Sequence, residues 1–141
     1  MEETKVQQIL ENLRQAFPKY EISSLLTKQR GKKYLIIVKG FDAIDSNIDD
    51  WSTKIVYPIW WDMMKILETH EEGICNLRLM FIRDNQFLLH SPDVGCGNVF
   101  RNMEKPLFRN VYGYAEHQHY ICQCQNINDV LEYLTQTQIR F

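Results

Sequence analysis

The densest cluster of chemistry-bearing side chains is EHQHYICQC, where His117, His119, Cys122 and Cys124 fall within eight residues. Imidazole and thiolate are the ligands zinc prefers. The spacing, however, is H-x-H and C-x-C rather than the C-x₂₋₄-C and H-x₃₋₅-H of structural zinc sites. On a strand, alternation sends His117 and His119 to one face and Cys122 and Cys124 to the other, so all four grip one ion only across a bulge. No metal and no cofactor are expected, and the cysteines are read as small buried hydrophobes.

A basic cluster, Lys28, Arg30, Lys32 and Lys33, surrounds Gly31 in KQRGKK. Such a hairpin tip could contact nucleic-acid phosphates, although Lys at hairpin tips also keeps an edge soluble. A third segment, DVGCGNVFR, holds Gly95 and Gly97, with Arg101 in it and Arg109 beyond. Paired glycines let backbone N–H groups approach an anion, which makes residues 91–110 a candidate ligand loop. The pattern matches neither the P-loop nor the dinucleotide fingerprint. Cys96 between them would be reactive only with a lowered pKa and exposure. The acids Asp42, Asp45, Asp49 and Asp50 lack the Gly and terminal Glu of a calcium loop. G-x-S-x-G, H-E-x-x-H and C-x-x-C do not occur in the chain. A non-enzymatic role therefore leads.

The aromatic residues carry that role. Trp60 and Trp61 are neighbours on a predicted helix and project about 100° apart, so one narrow core stripe does not take both. Trp51 and Tyr57 lie just upstream. Partly exposed aromatics are typical anchors of protein interfaces. The expectation is a protein-binding surface, or a homodimer, centred on residues 57–64 and drawing on Trp51, Tyr57, Trp60 and Trp61. Nucleic-acid binding through residues 28–33 and ligand binding or an unrecognised activity through residues 91–110 are the alternatives.

The elements that must position these residues follow from periodicity. Val6, Ile9, Leu10, Leu13, Ala16 and Phe17 form one helical stripe ending at Pro18, which predicts a helix over about 3–17. Residues 20–27 and 33–39 read as a hairpin whose second strand, YLIIV, is apolar enough to be buried on both faces. Ser46 with Asp49 resembles a capping box, and a largely buried helix follows, either starting at Pro58 or starting near Asn47 and kinking there. Residues 75–83 and 86–90 form a second hairpin turning at Asp84-Asn85, with Leu77, Leu79 and Phe81 on one face and Arg78 opening the other. Residues 111–124 read as a long strand, and Asn126 or Asn128 caps a last helix bearing Val130, Leu131 and Leu134. The order α-β-β-α-β-β-loop-β-α predicts a single thin two-layer α+β domain, a mostly antiparallel sheet with helices packed on it.

Length and charge set the outer bounds. At 141 residues with 45% apolar and 24% charged side chains, the chain has ordinary globular composition. A formal net charge of −2 gives no overall field towards nucleic acid or anionic membrane. MEETKVQQILENL has no apolar core of a secretory leader, and no stretch is long and apolar enough for a membrane span. A cytoplasmic protein with reduced cysteines is the expectation.

Overall fold

The computed structural model describes residues 2–27, 34–70, 77–91, 109–110 and 118–136, with backbone alone for 90, 91, 109, 110 and 118–120. Helix α1 spans Glu3–Ala16 and buries Val6, Ile9, Leu10 and Leu13. Phe17, which precedes proline, leaves the helix because that position disfavours α geometry, and its N–H closes the last turn on the Leu13 carbonyl at 2.8 Å. Ala16, counted in the predicted stripe, is exposed.

Strands β1 (Glu21–Leu26) and β2 (Tyr34–Lys39) pair antiparallel from Glu21–Lys39 to Leu26–Tyr34. Gly40 then turns the chain at φ +116°, a conformation that glycine adopts without a steric penalty. A Cβ there would stand 3.3 Å from the Tyr20 ring. The next helical span begins with α2 (Ile48–Asp50), passes through a π-helical segment (Trp51–Val56) and continues as α3 (Tyr57–Glu68). Asn47, not Ser46, caps it, with Asn47 Oδ1 accepting the Asp50 N–H at 2.8 Å. Both expected helix starts are thus partly realised: the helix begins at Asn47, and Pro58 opens its final α section. Proline clashes with the carbonyl four residues back and donates no N–H. The wider π turn, in which the Tyr57 N–H reaches the Ser52 carbonyl, accommodates the ring without breaking the helix.

Strand β3 (Leu77–Arg83) pairs with β4 (Gln86–Ser91) through the Asp84-Asn85 turn, where Asp84 takes φ +49°. Two short strands, β5 (Arg109–Asn110) and β6 (Gln118–Gln123), and helix α4 (Ile127–Gln136) complete the described elements. Of the long strand expected over 111–124, residues 111–117 lie outside the described residues. Among the described residues the strands form one sheet in the order β1-β2-β3-β4-β6-β5.

The fold is α+β, and among the described residues four of the five strand pairings are antiparallel. The β2–β3 pair is parallel. Parallel neighbours require a long crossover, and the helical span over residues 48–68 supplies it. The sheet also has helices on both faces, which corrects the two-layer expectation. On one side Ile22, Ile36, Val38, Leu79, Phe81, Leu88 and Ile121 pack with α1 and α3. On the other, Leu35, Ile37, Met80, Ile82, Phe87, Leu89 and Cys122 pack with Val130 and Leu134 of α4. Strand β2 is buried on both faces as its sequence predicts. All seven residues of β3 are buried as well, so Arg78 does not open a solvent face; its guanidinium donates to the Leu77 carbonyl at 2.8 Å.

Candidate functional site

Helix α3 divides the aromatic cluster. Trp60 is 3% exposed and joins the core, while Trp61, one residue on, is 46% exposed. The 100° step between consecutive helical residues produces this split, as the sequence predicts. Half-buried Tyr57 stacks on Trp60 at 6.0 Å between ring centroids and meets Trp61 edge-on at 5.9 Å. Trp61 also stands 4.9 Å from Trp60 in a T-shaped contact. An exposed indole held on two sides by rings loses little freedom on binding, which suits an anchor.

Trp51 does not belong to this surface. It is fully buried, packs edge-on against Phe41 at 5.7 Å, and lies 4.9 Å beneath the Arg83 guanidinium. On a regular α-helix, nine residues separate Trp51 from Trp60 by about 180°. The π segment turns the chain less per residue and brings both indoles round to the core side. The surface is therefore exposed Trp61 beside half-buried Tyr57, with Trp51 and Trp60 in the core.

A cleft of about 520 Å³ lies at the β3–β4 turn, lined by Asp42, Asp45, Ser46, Arg83, Asp84 and Gln86 among others. Arg83 is 5% exposed. Its Nε and Nη2 donate to Gln86 Oε1, and Nη1 donates to the Ile44 carbonyl at 3.2 Å and Ser46 Oγ at 3.1 Å. Asp42 accepts the Asp84 N–H at 2.9 Å. The guanidinium fork matches this multiple bridging, which a lysine ammonium does not reproduce. Arg83 thus fastens the 42–46 loop to the sheet and is already occupied as a donor. Sequence reasoning missed it, since an arginine at a strand end carries no local signal of burial. Arg83→Ala is expected to cost about 2–3 kcal/mol in urea unfolding, through lost charged hydrogen bonds and lost packing on Trp51. Arg83→Lys should recover less than half; a loss near zero for both would contradict the clamp.

Across the same turn, Asn85 organises the end of β6. Its carbonyl accepts the Cys124 N–H at 2.8 Å and the Cys124 thiol at 3.0 Å, and its side-chain oxygen accepts the Ile127 N–H at 3.0 Å. Asn126 Oδ1 accepts the Asn128 N–H at 2.9 Å and completes the start of α4. Burial raises the Cys124 pKa above its ordinary value, which favours the neutral thiol over a thiolate. Cys122 is buried in the core beneath α4, while Ile121 faces the opposite core. The His119 backbone pairs with His90 in the β4–β6 ladder. His117 lies outside the described residues. Among the described residues no group of three His, Cys, Asp or Glu side chains stands ready to hold a metal ion.

The basic tip (Lys28, Arg30, Lys32, Lys33) lies outside the described residues, as do Gly95, Gly97 and Arg101 of the ligand loop. Arg109 enters β5, paired with Ile121 of β6. No helix among the described residues is long and apolar enough to cross a membrane. Compared with known proteins, the chain matches no family model, no curated protein and no solved structure.

Proposed function

We propose that this chain is a non-enzymatic binding protein, acting in the cytoplasm through a protein–protein interface on the exposed face of α3. Trp61 is its anchor and Tyr57 its neighbour, and the partner is a protein chain, a second copy included. The observation that supports this reading is the 46% exposure of an indole already fixed by Trp60 and Tyr57. Large aromatics of this kind concentrate binding energy at interfaces. Arg83, the cationic group lining the cleft at the β3–β4 turn, is engaged in holding its own loop, which argues against the cleft as the working site.

Trp61→Ala is expected to weaken association by about 2 kcal/mol or more, roughly thirtyfold in Kd. Native mass spectrometry of protein taken gently from fresh lysate reads this directly. The wild type should carry a second chain at fixed stoichiometry, and the variant should lose it while keeping its far-UV circular dichroism. Two proteins that behave alike, both alone or both bound, would contradict the proposal.

A further inference from the structure

We infer that the partner on this face is a second copy of the chain, its α3 packed antiparallel to the first with the two-fold axis near Trp61. This rests on Trp61 being the interface anchor. In such a pair, the residue n positions before Trp61 faces the residue n positions after it on the other copy. Tyr57, four before, then faces Lys65, four after, which sets a cation against an aromatic ring. Lys54, seven before and inside the π-helical segment, and Glu68, seven after, come to the same height along the two helices, where their long side chains set opposite charges within reach, and symmetry makes each pairing twice.

Tyr57, Trp61, Lys65 and Glu68 follow the i, i+4, i+8, i+11 spacing of one helical stripe. The side chains are available: Lys54 is 75% and Lys65 74% exposed, and Glu68 is exposed. Their present partners are within the same helical span, Lys54 with Asp50 at 3.4 Å and Lys65 with Asp62 at 3.6 Å. Solvent-exposed pairs of this kind contribute little and exchange readily. A parallel arrangement in register would instead set Lys54 on Lys54, Lys65 on Lys65 and Glu68 on Glu68, three like-charge contacts. The helical span over residues 48–68 is about 30 Å long, enough to carry contacts seven residues either side of the axis. One helix pair lies at the low end of specific interface sizes, so the dimer forms with rising concentration rather than permanently.

Sedimentation equilibrium on charge-reversed variants tests the pairing. Lys54→Glu and Glu68→Lys should each weaken self-association about tenfold or more, because each replaces an attraction by a repulsion. The double variant K54E/E68K should recover it. The two single variants, mixed, should associate with each other better than either does with itself, since each then carries the other's complement. A wild type that stays monomeric at millimolar concentration overturns self-pairing. So does a dimer that neither single reversal weakens, or one that the double variant fails to restore. If the wild type is monomeric yet loses a different bound chain on Trp61→Ala, self-pairing fails and the interface stands. If a dimer survives both Trp61→Ala and the reversals, both fail.

Discussion

Trp60→Ala is expected to cost about 3–5 kcal/mol of folding free energy, whereas Trp61→Ala, one residue along, should cost less than about 1 kcal/mol. Trp60 is almost fully buried in the core between sheet, α1 and α3, and its removal leaves a void that close-packed neighbours fill only in part. Trp61 leaves nearly half its surface in water and rests on Trp60 and Tyr57 by its remaining contacts. Urea unfolding followed by circular dichroism, which does not depend on the indoles themselves, measures both. Equal losses would mean that Trp61 is structural, and the surface assigned to it would disappear.

The second large effect lies in the same core. Leu13→Ala and Ile36→Ala should each destabilise by about 2–5 kcal/mol, since both side chains are completely excluded from water. Leu13 is the last buried residue of the α1 stripe, and Ile36 lies at the centre of β2, opposite Leu79 across the parallel pair. A cost well below 1 kcal/mol at either position would contradict the packing of α1 on the sheet.

Local patterns carry most of the fold. The α1 stripe, the YLIIV strand and the Asp84-Asn85 turn are each specified within ten or so residues, by helical period, by apolar continuity and by turn chemistry. The parallel β2–β3 pairing is a non-local choice, set by a crossover that spans the whole of residues 48–68, and alternation within each strand is silent on it. The same limit governs Arg78 and Arg83. Both are charged residues on a strand whose burial comes from helices on two faces and, for Arg83, from a loop fixed 37 to 39 positions away.

The site was legible in one part and not in another. That Trp60 and Trp61 do not fit one narrow core stripe follows from adjacency on a helix; that Trp61 is the exposed one follows from which side of α3 the sheet and α1 cover. That Trp51 turns inward depends on the π segment ahead of Pro58, where the rotation per residue changes and simple helical spacing misplaces everything upstream. Ser46 illustrates a smaller version: a sequence that fits a capping box one residue early, while Asn47 makes the cap and the Ser46 hydroxyl accepts from Arg83.

The most direct measurement of the central claim is fluorine NMR on protein carrying fluorotryptophan at Trp51, Trp60 and Trp61, with the Trp61 resonance identified by Trp61→Phe. In dilute solution the Trp61 signal should show a solvent-isotope shift between H₂O and D₂O, and the Trp51 and Trp60 signals should show almost none. On raising the protein to millimolar concentration, or on adding fresh lysate, the Trp61 shift should disappear while the two buried indoles stay where they were. A Trp61 resonance that remains solvent-sensitive under both conditions would contradict the binding face.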